Sequence, residues 1–593
     1  MHRACRRIWI RSLPLVLASS PAADAAIVVN STSDMVLDDG HCTLREAIAA
    51  ANTNTASGAK SGECAAGGSG TDTIEFDITD AGCVGGPPKI CTIAPSTTLP
   101  DITAPVVIDG YATQPGASAN TLAVGDNAVI AIRLDISGVT GTGLHLAPGS
   151  SGSTVRGLSI VRPGGSIPLG YMVKVDSDNV TVAGNFIGVE PDGSTVSTHL
   201  VTFDALDVNG TGNTIGGTTP ALRNVIAFDN GGGGGVGLWI ERGASHLVQG
   251  NYFDVDASGT AAIGNAQYGI NVATGGNTVG GSVAGAGNVI GRWALVGLQF
   301  NSNSSNPGAS SALGNRIGTD AAGTLALPAG PYGVVVGASS GAVTIGGSAA
   351  DAGNLIRGTL NGILVQGDAP AGTPVIQGNH IGVSLDGTLP LPSGTSGILV
   401  TSAASGGLIG GTAAGEGNVI GCSGTNGISL AFSADWAMLG NSISGNGFGI
   451  SLAGSDSVSS PTPNDTNDGD TGNNNLQNYP VISNVTIESP TAVQVSGSLN
   501  SEASKTYRLE FFAGARCDKS GHGQGRDFVG FEDVSTSPSN NVSFGPLPFT
   551  VPAGHRVITA TATDPKGNTS EFSLCSDQDA IFSDSFETTS ACN

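Results

Sequence analysis

His145, Lys174, Asp207 and Trp239 share one feature of placement. Each is the third residue of a short motif, small-apolar-x-apolar, that reads Gly-Leu-His-Leu from 143, Met-Val-Lys-Val from 172, Ala-Leu-Asp-Val from 205 and Gly-Leu-Trp-Ile from 237. In an extended chain the apolar residues of such a motif point one way, and x and the residue two further on point the other. The outward columns therefore collect an imidazole, an amine, a carboxylate and an indole at x, with Asp176, Asn209 and Glu241 beside them. Further along, x becomes Asn271, Gln299, Val335, Leu364, Leu399, Ser429 and Ser451, and the chemistry fades. An indole among hydrogen-bonding groups suits the face of a sugar, which makes Asp176, Asn209, Trp239 and Glu241 the substrate-binding candidates. His145, Lys174 and Asp207 are the candidates for proton transfer. The plain alternative is a surface ion-pair ladder, Lys174 between Asp176 and Asp207, worth at most ~1 kcal/mol per pair.

Such a face needs a scaffold that repeats the motif in register. Gly-Asn recurs at 184, 250, 314, 378 and 440, about every 64 residues, and Ile-Gly-Gly or Val-Gly-Gly followed by Asn-Val-Ile or Asn-Leu-Ile recurs in step, with its asparagine at 224, 288, 354 and 418. Between these markers lie short period-two apolar segments bounded by Gly, Asn or Ser, each too short for a helix. No such unit can bury its own apolar side, but stacked copies can. The pattern predicts an all-β chain whose main body, 124-455, is a right-handed parallel β-helix with glycine and asparagine at its corners. A β-propeller with ~64-residue blades would need four strands and aromatic blade markers in each repeat, and these are missing.

The segment His41-Cys-Thr-Leu-Arg-Glu-Ala-Ile-Ala-Ala-Ala-Asn52, together with Gly-Asn-Arg-Ile-Gly-Thr-Asp at 314-320 and Arg-Asn-Val-Ile at 223-226, resembles bacterial secreted β-helix proteins with an N-terminal CSLREA-type domain. Thr43 stands where that family usually has Ser. The resemblance implies fold and secretion, and it carries no catalytic residue.

Around this body the chain divides into 1-25, a signal peptide; 26-123, a capping region; 456-479, an Asn/Asp-rich linker; 480-576, an immunoglobulin-like β-sandwich; and 577-593, a short tail. Four arginines, a short apolar stretch and Ala-Asp-Ala at 23-25 mark the signal peptide. Leu44, Ala47, Ile48 and Ala51 share one face of a short helix that would plug the solenoid's N-terminal end. Alternating runs such as Tyr507-Arg-Leu-Glu-Phe511 predict the sandwich.

Cysteine spacing suggests Cys42 with Cys64, Cys83 with Cys91 and Cys517 with Cys575, and leaves Cys422 and Cys592 unassigned. Asp465, Asn467, Asp468 and Asp470 read as a polar linker or as a calcium site without the bidentate glutamate of a full calcium loop. Acids that recur beside the Gly-Asn corners, Glu190, Asp256 and Asp320, read as turn formers, since a glycosidase needs one singular pair. With 47 acidic against 23 basic residues and a net charge of -24, nucleic acid and anionic membranes are poor partners. No stretch is apolar enough to span a membrane as a helix. These features point to a monomeric, exported protein of the extracellular space or cell surface. It would bind a polysaccharide or surface glycan, with calcium as its one candidate cofactor; the alternative is a polysaccharide lyase or glycoside hydrolase.

Overall fold

The structure, a computed structural model, describes residues 26-163, 170-197, 204-229, 234-301, 308-338, 340-367, 372-401, 406-454, 461-576 and 592. The expected signal peptide and all of the tail except Cys592 lie outside them. Three long sheets run along one axis and form a parallel β-helix. A first sheet of 13 strands runs from Ile27–Val29 to Trp436–Leu439, a second of 11 from Leu144–Leu146 to Phe448–Ser451, and a third of 13 from Cys83–Val84 to Ser442–Ser444. One coil visits the second sheet at Tyr171–Val175, the first at Thr181–Val182 and the third at Phe186–Ile187, then returns to the second at Asp204–Val208.

Period-two alternation builds the core. Val173, Leu206, Leu238, Ile270 and Leu298 are aligned across neighbouring strands of the second sheet and are fully buried. Ile187, Ile226, Phe253, Ile290 and Ile317 do the same in the third. The small residue of the motif answers to a close approach between coils. A Cβ on Gly237, Gly269, Gly297 or Gly333 would stand 2.6 to 2.8 Å from the carbonyl oxygen of the matching glycine one coil on.

The 64-residue period resolves into two coils. Asn185, Asn224, Asn251, Asn288, Asn315, Asn354, Asn379, Asn418 and Asn441 form one continuous buried stack, in which the Gly-Asn and Asn-Val-Ile markers alternate. Each amide up to Asn418 donates to the side-chain oxygen of the next asparagine, for example Asn224 Nδ2 to Asn251 Oδ1 at 2.8 Å, and also to a strand carbonyl, here that of Val182 at 2.8 Å. These asparagines were expected to bond their own corner's backbone, and Asn185, Asn251 and Asn379 do so, donating to the carbonyls of Ala183, Gln249 and Gln377; the stack as a whole also links coil to coil, which satisfies amides that the turn buries. The preceding glycines at 184, 250, 314, 378 and 440 do sit at positive φ, between 61° and 70°.

Both ends differ from expectation. The solenoid begins at Ile27 rather than 124, since Asp72–Phe76 and Val106–Asp109 already belong to the first sheet and Ile90–Ile93 and Ile132–Asp135 to the third. Long insertions, two of them pinned by Cys42–Cys64 and Cys83–Cys91, separate these first strands. The helix Leu44–Thr53 packs at this end, with a capping box between Thr43 and Glu46. Arg45 pairs with Asp34 at 2.9 Å and also donates to the carbonyls of Thr97 and Thr98.

At the other end, strands Val481–Ser489, Ala492–Asn500 and Asn541–Thr550 form one antiparallel sheet and Asp527–Ser535, Thr506–Gly514 and Val557–Thr563 another. The two close on a shared core that includes Val495, Leu499, Leu509, Phe511 and Ala560. Residues 569-576 extend the sandwich sheet that contains Val557–Thr563 through bonds such as Ser573 N to Ala560 O at 2.8 Å.

This sandwich is a lid on that end of the solenoid. Where another coil would follow, Gly440 N donates to Glu510 Oε2, Ile443 N to Gly525 O, Leu452 N to Glu571 Oε1 and Met438 N to Thr569 Oγ1, all at 2.8 to 2.9 Å. Phe512 and Phe572 complete the solenoid's core. The expected linker is packed as well: Asn474 is fully buried and exchanges hydrogen bonds with the backbone of Trp436. An open strand edge must be covered, and side chains and one backbone carbonyl of the C-terminal domain do so here.

Candidate functional site on the second sheet

The register places His145, Lys174, Asp207, Trp239 and Asn271 side by side on five successive strands of the second sheet. His145 is held from both sides, with Nδ1 2.8 Å from Asp101 and Nε2 2.9 Å from Asp176. Lys174 Nζ lies 2.8 Å from Asp176. Asn209 Nδ2 bridges two carboxylates, donating to Asp176 at 2.8 Å and to Asp207 at 3.1 Å. The expected ladder therefore breaks after one rung: Lys174 pairs with Asp176 on its own strand, and Asp207 makes no ion pair among the described residues. Asp207 is 0% exposed although its column faces outward, so its carboxyl lies beneath the patch while Lys174 and Asp176 stay near solvent.

Burial sets the electrostatics. Loss of solvent, reinforced by the charge of Glu241, pushes the Asp207 carboxyl up to about 7. Asp176 is also partly desolvated, but hydrogen bonds from Lys174, His145 and Asn209 hold it below the usual carboxylate range. The two neighbours are thus driven apart in acidity.

Two further residues belong to this face and escaped the motif. Tyr171 and Asp204 open their strands and are aligned with each other. Lys174 Nζ lies 5.6 Å from the centre of the Tyr171 ring. Burial, together with Asp207 and Asp204, raises the Tyr171 hydroxyl to about 12, and burial and Glu241 push Asp204 up to about 7 despite a bond from Val236 N. By strict alternation from the inward Val173 and Leu206 both would point inward, so period-two reading passes over them.

Four buried polar atoms here, Asp207 Oδ1, Asn209 Oδ1, Trp239 Nε1 and Asn271 Oδ1, have no hydrogen-bond partner among the described residues. Trp239 is less open than a free stacking platform, being only partly exposed with its ring nitrogen covered. Glu241 stays accessible at the rim beside Arg242.

The remaining candidates sit elsewhere. Asp465, Asp468 and Asp470 each bring a carboxylate oxygen within 4.8 Å of the others, with Asn467 in the same turn at a φ of 66°. Asp465 accepts from Gly469 N, and Asp468 from Asn478 N and the Ser501 hydroxyl, so part of the ligand capacity already ties the chain down. Burial, with the neighbouring Asp465 and Asp470 charges, raises Asp468 to about 6. Asp256 and Asp320 accept backbone N–H groups of their own turns, and Glu190 instead pairs with Arg133 at 2.6 Å. All three expected disulfides are present, and Cys422 pairs with Cys592 across 170 residues of chain.

Fold and site together define a parallel β-helix protein, closed by a β-sandwich, with one polar patch that its repeats do not reproduce. No family model and no curated protein matches the sequence. Among solved structures it is similar to full-length tailspike protein 2 from Escherichia coli O157:H7 bacteriophage CAB120, at 9% identity over 85% of this chain and 66% of that one, with a TM-score of 0.27. It is also similar to the enzymatically active domain of tailspike protein 2 from bacteriophage CBA120, at 9% identity over 85% of this chain and 74% of that one, again with a TM-score of 0.27. The chain spans just under two thirds of the full-length tailspike, and at this TM-score neither likeness bears on the site.

Proposed function

We propose that this is an exported extracellular or cell-surface protein that binds a polysaccharide through the outward face of its second sheet, around Lys174, Asp176, Asn209, Trp239 and Glu241. One observation carries the reading: four polar atoms without partners lie buried on the part of that face where the outward column is charged and aromatic, and a sugar reaches them once the side chains above them move aside. Buried polar groups are costly when unpaired, and sugar hydroxyls can both donate and accept. The four disulfides suit an oxidising compartment outside the cell.

Hydrolysis is the second reading, favoured by the opposed acidities of Asp207 and Asp176 around one shared amide. Asp207 would be the protonated acid and Asp176 the ionised partner. Asp207 is closed to solvent, so this chemistry requires the face to open around it. A lyase using Lys174 or His145 as base is less well served, because both are engaged with Asp176. Purified protein should be passed over a panel of immobilised polysaccharides while new reducing ends and unsaturated products are assayed. Retention without products supports binding, reducing ends that vanish in Asp207→Asn support hydrolysis, and neither retention nor products from any polysaccharide removes both readings.

A further inference from the structure

The third sheet carries a second feature on its outer side, on a different sheet from the patch above although the two overlap along the coils. The outward residues of five successive strands are Tyr252, Val289, Arg316, Leu355 and His380. At ~4.8 Å per strand they floor a trough ~19 Å long. It has a volume of about 810 Å³, and glycine-rich turns such as 281-287 and 347-353 form part of its lining. One end is closed by the loop 120-127. Arg223 holds that loop by donating to the carbonyls of Leu122, Ala123 and Gly125, and Tyr252 Oη accepts from Gly125 N at 2.8 Å.

Arg223 is used up in this clamp, but Arg316 is not. Among the described residues its guanidinium has no hydrogen-bond or ion-pair partner, and its Nε is buried. A cation left unpaired in a partly desolvated trough is unusual in a protein of net charge -24. Apolar Val289 and Leu355 flank it, and Tyr252 and His380 lie two strands away on either side, ~10 Å each, about the advance of a disaccharide. Asp351 lines the trough too, with its side chain exposed.

We infer that this trough is a separate binding site for an extended glycan bearing a carboxylate, with one acidic sugar seated on Arg316 and the sugars on either side of it over Val289 and Leu355. The overall negative charge opposes general attraction of polyanions, so recognition has to be local: one carboxylate against one guanidinium, which can take it bidentately. This site does not depend on the second-sheet reading.

The test uses the full chain and four probes: hyaluronan octasaccharide and oligogalacturonate, which carry carboxylates, and chitin oligosaccharide and methyl-esterified oligogalacturonate, which do not. Calorimetric titration is expected to show binding of at least one acidic probe, preferred about tenfold or more over the neutral ones, as befits a charge-assisted bond. Arg316→Gln should reduce that binding by about tenfold with an unchanged thermal midpoint, whereas Lys174→Gln with Trp239→Phe should leave it intact. Failure of both acidic probes to bind, equal binding of the esterified form, indifference to Arg316→Gln, or loss through the second-sheet variant would each overturn the proposal.

Discussion

Replacing Asn288 with alanine tests whether the buried asparagine stack holds the coils together. Asn288 is fully buried; its Oδ1 accepts from Asn251 N and Asn251 Nδ2, both at 3.0 Å, and its Nδ2 donates to Val248 O at 2.8 Å and Asn315 Oδ1 at 2.9 Å. Four hydrogen bonds at about 1 kcal/mol each place the loss on the order of 4 kcal/mol. Asn288→Asp should cost at least as much, since an acceptor oxygen would face the Val248 and Asn315 oxygens. Asn441, at the end of the stack, makes three such bonds, so Asn441→Ala should cost less. Urea unfolding followed by far-UV circular dichroism ranks the variants, with exposed Ser282→Ala as control. Midpoints are the quantity to compare, because long repeat arrays depart from two-state unfolding. An Asn288→Ala midpoint no lower than that of Ser282→Ala would refute the ladder as the link between coils.

The lid offers a pH test. Burial raises Glu571 to about 7 in the folded protein, against ~4.3 when unfolded, so from about pH 4.5 to 7 the unfolded chain binds fewer protons and stability falls as pH rises. The thermal midpoint of the wild type should fall more steeply across that window than that of Glu571→Gln; parallel curves would show that Glu571 does not titrate there. Non-reducing peptide mapping should recover Cys422 joined to Cys592, and a different partner for either would detach the C-terminus from the solenoid in this account. Calcium is expected to slow proteolysis at 465-470 and chelator to restore it; cleavage indifferent to both assigns Asp465, Asp468 and Asp470 to turn-making alone.

How far the sequence could be read follows from where each signal lies. The second-sheet strands were legible because Leu206, Leu238 and Ile270 alternate with polar residues inside one short motif. The asparagine stack was half legible: Gly-Asn and Asn-Val-Ile look like different markers until folding shows that consecutive coils place them on top of each other. The first coils were hidden because insertions separate Ile27, Ile74 and Ile108, which are neighbours only in space. At the site, register brought His145, Lys174, Asp207 and Trp239 together as expected, but the burial of Asp207 depends on its packing in three dimensions, which alternation does not encode. Arg316 was invisible for the same reason, since the trough draws one outward residue from each of five strands.

The central claim is that the second-sheet patch binds a polysaccharide, and Lys174→Gln combined with Trp239→Phe tests it most directly. Alanine at 239 would add a packing cost, whereas phenylalanine keeps an aromatic ring there and removes the unpartnered Nε1 donor; losing the partly exposed Lys174–Asp176 pair costs ~1 kcal/mol or less. On the polysaccharide that retains the wild type, the expected result is a loss of affinity of about tenfold or more with little change in the thermal midpoint. Equal retention of variant and wild type would contradict the account.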